Sequence, residues 1–293
     1  MITANPEVRL PKARKAAEIE AFVRGMDLPD EGVRGYLETH MARIVRTLSI
    51  TPGPRLTGRV LELGAYMQMT PALQCVLGYS EVRGAYFAPS PRNAWERWLR
   101  RWQSAQARQR MTSGGQVVFE CLVDRFDAER DPWPYFDSHF DTVLACEIFE
   151  HFLHDPMHML MEARRVLVNG GVLVLTTPNV ASYTGVARVL EQSGNPQLYS
   201  QYPKPPSQNA ALEVGHMREY TPQEVEMVLV AAGFQVDYLF TEIAPGYEAH
   251  TWVHDYLQRQ GYPSHLRGEQ IFALAHSKAD APITRHPKFL YDI

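Results

Sequence analysis

Short, continuously apolar runs alternate along most of this chain with stretches of helical periodicity, and that alternation leaves few folds open. Val172–Thr176, inside VLVLTTP, is apolar at nearly every position, as a strand must be when it is buried on both faces. Six further runs read as strands: Arg59–Leu63, Glu81–Phe87, Gln116–Leu122, Phe140–Cys146, Phe234–Thr241 and Gln270–His276. Between them the apolar spacing predicts helices at Pro71–Leu77, Asn93–Gln109, Asp155–Val168 and Pro222–Ala232. The expected fold is therefore α/β, a doubly wound, mostly parallel, seven-stranded sheet covered by helices on both faces. Ahead of it, Lys12 to Leu48 carries apolar residues at helical spacing, broken at Asp27-Leu-Pro-Asp-Glu and ended by Thr51-Pro-Gly-Pro. Residues 1–54 are expected to form a helical extension or lid and residues 55–293 the α/β domain, with 180–215 as a cover and 278–293 as a tail.

Composition narrows the function classes. With 45% hydrophobic and 21% charged residues the chain can bury a sizeable core and is not of the disordered class. A net charge of −4 gives no general attraction to nucleic acid or to an anionic membrane, so neither is an expected partner. One basic aromatic stretch, Arg92 to Arg110, holds six arginines with Trp95, Trp98 and Trp102. It reads as a helix packing its indoles inward with arginines at its sides, or alternatively as a platform for a phosphate-bearing substrate. Cys75, Cys121 and Cys146 are far apart and contain no Cys-x-x-Cys pair, which points to reduced thiols. The start lacks a signal-length apolar segment and no run is long enough to span a membrane, so a cytoplasmic protein is expected.

In a doubly wound sheet ligands bind at the carboxyl ends of the strands. Four segments qualify: Glu62 to Gln68, Tyr86-Phe-Ala-Pro, Cys146-Glu-Ile-Phe-Glu-His, and Thr177-Pro-Asn179. The stretch FDTVLACEIFEHFLHDPMHMLMEARRVLVNGGVLVLTTPN, residues 140–179, resembles class I S-adenosylmethionine-dependent methyltransferases. VLELG at 60–64 and HMREYTPQEVEMVLVAAGF at 216–234 resemble flanking motifs of that family, so the resemblance runs from Arg59 to Ser277. It implies a Rossmann-like methyltransferase fold, S-adenosylmethionine as cofactor, and a cofactor site at Glu62, Gly64, Ala65, Tyr86, Phe87, Asp127 and Cys146. Two departures stand out. Tyr66 and Gln68 occupy positions where the family carries glycines, and Tyr86 stands where an acid normally receives the ribose hydroxyls. A phenol has less hydrogen-bonding capacity than a carboxylate.

Glu147, Glu150 and His151 are spaced i, i+3 and i+4, which on one helical turn would aim all three at a common face. Two roles are open for these catalytic candidates. His151 is a general base, its imidazole taking the proton of an acceptor hydroxyl, or the cluster holds a divalent metal such as Mg²⁺. Glu-x-x-Glu-His resembles the metal motif of ubiquinone-pathway and small-RNA 3′-end O-methyltransferases, which implies Glu147, Glu150, His151 and His216 as ligands. His154 and His158 are set aside, because Asp155-Pro156 reads as the start of a new helix.

The resemblance thus implies an O-methyltransferase acting on a hydroxyl of a small molecule or saccharide. The ending ITRHPKFLYDI resembles tails of methyltransferases of bacterial carbohydrate modification, and its apolar residues can dock on the domain or on a second copy in a homodimer. The alternative from another class is a methyltransferase-fold protein that no longer methylates, for which Tyr66, Gln68 and Tyr86 speak. Trp252, His254 and Tyr256 are expected on a helix packed on the sheet, the alternative being that they contribute to acceptor specificity. Tyr86→Asp is expected to tighten S-adenosylmethionine binding in a calorimetric titration; weaker binding would mean that Tyr86 is itself a ligand.

Overall fold

The computed structural model describes residues 15–28, 31–87, 106–200, 215–247 and 250–292. Eight strands form one sheet: β1 (Arg59–Leu63), β2 (Glu81–Phe87), β3 (Ala107–Ser113), β4 (Gln116–Phe126), β5 (Phe140–Cys146), β6 (Leu167–Pro178), β7 (Phe234–Glu242) and β8 (Gln270–Ser277). Their order is β3-β4-β2-β1-β5-β6-β8-β7. The five strands from β4 to β6 are mutually parallel. The outer pairings of β3, β8 and β7 are antiparallel, so the sheet is mostly parallel, as expected.

The eighth strand corrects the sequence reading at one place. Residues 107–109, assigned there to the end of a helix, belong to β3, which pairs antiparallel with β4 across Gly114 and Gly115. Both glycines have positive φ, the conformation a tight hairpin turn demands and that glycine adopts without strain. The tryptophans of the basic stretch lie outside the described residues.

Helices cover both faces. On one, α1 (Ala16–Arg24), α2 (Glu31–Ile50) and α3 (Thr70–Cys75) pack Ile19, Val23, Leu37, Met41, Ile44 and Leu48 against Val60, Leu144 and Val174. The helical extension is thus part of the main core. On the other face lie α4 (Pro156–Val166) and α6 (Pro222–Ala231), with Leu160, Val225 and Leu229 against Leu61, Val143 and Leu173. Asp155 caps α4 by accepting from the His158 N–H, and Pro156 opens it, which supports the reading of a helix starting there. A capping box of Thr221 and Glu224 starts α6.

Two further helices, α5 (Tyr183–Leu190) and α7 (Thr251–Arg259), pack on each other through Ala187, Val253 and Leu257. Trp252 and Tyr256 on α7 are exposed, so this helix meets α5 rather than packing these rings on the sheet. The tail docks on its own domain: Phe289, Leu290 and Tyr291 join the second core, while Arg285 and Tyr291 both bond the Asp155 carboxylate. No helix among the described residues is long and apolar enough to cross a membrane.

The entry to β1 is held by one buried acid. Asp141, at the start of β5, accepts backbone N–H bonds from Arg55, Leu56, Thr57 and Gly58 at 2.8 to 3.1 Å. Burial works against its charge, yet these donors outweigh it and hold the carboxyl below its usual range. A lowered carboxyl pKa contributes stability above the unfolded value and loses it as pH falls through the folded one. Asp141→Asn is expected to cost about 3 kcal/mol in urea denaturation and to weaken the acid dependence of stability; an unchanged midpoint would show that the clamp contributes nothing.

Candidate functional site

The carboxyl ends of β1, β2, β5 and β6 open along one edge of the sheet, and most of the candidate residues gather there. Gly64 follows β1 with φ +67°, and a Cβ placed on it would come within 3.0 Å of the Ile148 side chain. The position therefore needs glycine twice, for its left-handed backbone and for the close approach of the loop after β5. Ala65 donates its N–H to Ala85 at 3.0 Å, tying this loop to β2. Tyr86 and Phe87 end β2, where the Tyr86 ring meets Tyr66 edge to face at 5.0 Å. Met67, between the two replaced glycine positions, has φ +67° without being glycine. Asp127 follows β4 and is buried, with Oδ1 accepting from the Glu129 N–H at 3.0 Å.

Glu62 is the most perturbed of these residues. It is buried at 2% exposure, and its Oε2 accepts no hydrogen bond among the described residues. Burial pushes its pKa up to about 8. An acid so placed is ready to be satisfied by a cationic ligand group. Cys146, at the end of β5, is also buried, and burial raises its thiol well above the usual range, so it is an inert wall.

Beyond β5 the chain makes a single 3₁₀ turn, Phe149–His151, rather than a full helical turn. Glu147 has φ +53°, and this corrects the expectation of three side chains on one face. The i, i+3, i+4 rule holds only where every residue is helical. Glu147 instead turns toward α2: its Oε1 accepts from Thr176 Oγ1 and from Gln270 Nε2, each at 2.7 Å, and lies 3.8 Å from Arg43 Nη1.

Glu150, His151 and His216 do come together, each offering a ligand atom within 4.8 Å of the others, and Glu147 is not part of that group. Glu150 is fully buried; Oε2 accepts from Thr177 at 2.9 Å, and Oε1 lies 3.9 Å from His216 Nε2. Burial first, and then the neighbouring Glu147 charge, raise its pKa well above the carboxylate range. The His151 Nδ1 lies 3.3 Å from the Gly215 carbonyl, an acceptor, so this nitrogen carries the proton and Nε2 is the basic one. His151 and His216 meet edge to face at 4.7 Å, and Tyr199 adds its ring to His216 at 4.8 Å. Glu219 accepts from His216 and from the Leu198 and Tyr199 N–H groups, fastening the cover segment to this cluster.

The fold is similar to that of solved structures. Residues 99–175 match the model of a family described as Methyltransferase domain. The fold is Rossmann-like, of the kind seen in S-adenosylmethionine-dependent methyltransferases. In fold the chain is similar to a chain of the Haloferax volcanii complex between the Trm112 methyltransferase activator and a methyltransferase. The two share 16% identity over 89% of this chain and 98% of that one, with a TM-score of 0.50. An Archaeoglobus fulgidus S-adenosylmethionine-dependent methyltransferase aligns at 15% identity over 85% of this chain and all (100%) of that one, with a TM-score of 0.49. No curated protein matches the chain by sequence.

Tyr36, His40 and Arg43 escaped the sequence reading although they recur at i, i+4 and i+7 on α2, a polar stripe beside the apolar one. The Tyr36 ring meets His40 in a tilted contact at 4.4 Å, and its hydroxyl accepts from Arg43 at 2.8 Å. Glu62 generates a pH prediction for the protein without ligand. Its folded pKa lies above the unfolded 4.5, so the folded state keeps a proton that the unfolded state releases. Stability should therefore be highest below the unfolded value and fall as pH rises toward about 8. Glu62→Gln should flatten that fall in melting curves recorded from pH 5 to 8, a window set at about the two pKa values; an identical slope would refute the assignment.

Proposed function

We propose that the protein methylates a hydroxyl of a small molecule or saccharide from S-adenosylmethionine, with His151 as the general base. The observation that supports this most is the meeting of Glu150, His151 and His216 beside the end of β5, next to the strand that carries Glu62 and Gly64. The residues present fit the cofactor in one respect that can be tested on the structure: the buried Glu62 oxygen, which accepts no hydrogen bond among the described residues, is suited to the ammonium of its amino-acid head. When bound, the cofactor supplies a methyl group already activated on a positively charged sulfur. His151, with Nδ1–H held by Gly215, would receive the acceptor hydroxyl's proton at Nε2. Burial raises the Glu150 carboxyl pKa, which favours its neutral form beside the imidazole. Tyr199 and His216 would form a wall that orients the acceptor for in-line attack.

A second reading is favoured by the same 4.8 Å grouping: Glu150, His151 and His216 hold a divalent ion that binds and acidifies the acceptor hydroxyl. Two imidazoles and one carboxylate suit Mn²⁺ or Zn²⁺ better than the oxygen-preferring Mg²⁺. Calorimetric titration with S-adenosylmethionine and S-adenosylhomocysteine, with and without these ions, separates the readings. Micromolar binding without metal dependence is expected, and labelled methyl transfer to a panel of phenols and saccharides should fall about a hundredfold in His151→Ala with cofactor affinity unchanged. Turnover abolished by chelator would favour the metal reading. Failure of the folded protein to bind either nucleoside would move it to a methyltransferase-fold protein with another ligand.

A further inference from the structure

Arg43 carries a full charge on a side chain that is only 9% exposed. A buried guanidinium persists where hydrogen bonds and opposite charge compensate it. Here the compensation is partial in geometry: Nη2 donates to the Tyr36 hydroxyl at 2.8 Å, while Nη1 stays 3.8 Å from Glu147 Oε1, beyond hydrogen-bond reach. That same Glu147 oxygen is already bonded by Thr176 and Gln270. Arg43 therefore faces the strand ends without being locked into a fork with its acid.

Its surroundings match one kind of ligand head. Arg43 lies 3.8 Å from Glu147, the first residue after β5, on the face of the sheet that α2 covers. Glu62, on the adjacent β1, contributes the buried Oε2 that accepts no hydrogen bond among the described residues. One cation and one unsatisfied acid flanking a single strand end complement an amino-acid zwitterion, carboxylate toward Arg43 and ammonium toward Glu62. The usual alternative for a carboxylate, backbone N–H groups at a helix start, is poorly provided here. The helix after β1, α3, is only six residues long, and Tyr66, Met67 and Gln68 crowd the turn that leads to it.

We propose that Arg43, contributed by the N-terminal extension, holds the α-carboxylate of the cofactor's methionyl part while Glu62 receives its α-ammonium. This rests on the S-adenosylmethionine reading above and adds to it a binding residue from outside the strand-end loops. It also gives α2 a role in ligand binding beyond covering the sheet.

The test compares S-adenosylhomocysteine with decarboxylated S-adenosylhomocysteine, which keeps the nucleoside and the ammonium and lacks the carboxylate. In calorimetric titrations the native chain should prefer the former by about tenfold or more. Arg43→Ala should erase that preference by weakening S-adenosylhomocysteine alone, leaving the analogue within about twofold of its native affinity. Arg43→Lys, which keeps the charge but not the fork, should restore part of it. Circular dichroism establishes that each variant is folded. Equal losses for both ligands would reduce Arg43 to a structural residue, and a preference that survives Arg43→Ala would overturn the proposal outright. Equal binding of both by the native chain overturns it too while leaving the cofactor reading intact. Binding of neither by the native chain sinks that reading, and this proposal with it.

Discussion

The side-by-side parallel pairing of β1 with β5 is the constraint from which the candidate site follows. Both strands are covered by helices on both faces, so their backbone groups are spent on each other and on β2 and β6, and only their carboxyl ends are open to a ligand. The pairing sets Glu62 opposite Leu144 and brings Gly64 against Ile148, so the loop after β1 and the loop after β5 share one wall. The Asp141 clamp guards that register from the other end, holding the segment that enters β1 to the strand beside it.

Charge is arranged around this pair with unusual economy of solvent. Glu62 and Glu150 are buried and pushed toward their neutral forms, whereas Glu147 keeps company with Arg43, Thr176 and Gln270. Their carboxyls meet three different environments within a few residues of one strand end, and the environments set distinct jobs. Burial raises the pKa of the Glu150 carboxyl beside two imidazoles, and one Glu62 oxygen accepts no hydrogen bond among the described residues. The cover segment is joined to the same network through Glu219, which links His216 to the backbone of Leu198 and Tyr199.

Much of the fold was legible in the apolar pattern because strands buried on both faces are apolar without interruption, as Phe140–Cys146 is. The strand β3 was not, since it lies at the sheet edge, is polar along most of its length and reads by composition as part of a basic helix. The helix α5 was hidden for a related reason: it buries only a narrow face, against α7. At the site, Glu150, His151 and His216 were legible from spacing and resemblance. Glu147 was misassigned because nothing in its neighbours announces a left-handed backbone at a glutamate.

By itself the sequence determined that this chain builds a parallel, doubly covered sheet with reactive side chains at its strand ends. Periodicity and local turn chemistry carry that information, and both are properties of residues near one another in the chain. Only the tertiary structure decided which of those side chains meet. Arg43 reaches Glu147 across more than a hundred positions of chain, and Glu62 loses its water because the packed sheet and its cover bury it. Burial and long-range pairing are set by packing, and no local pattern records them.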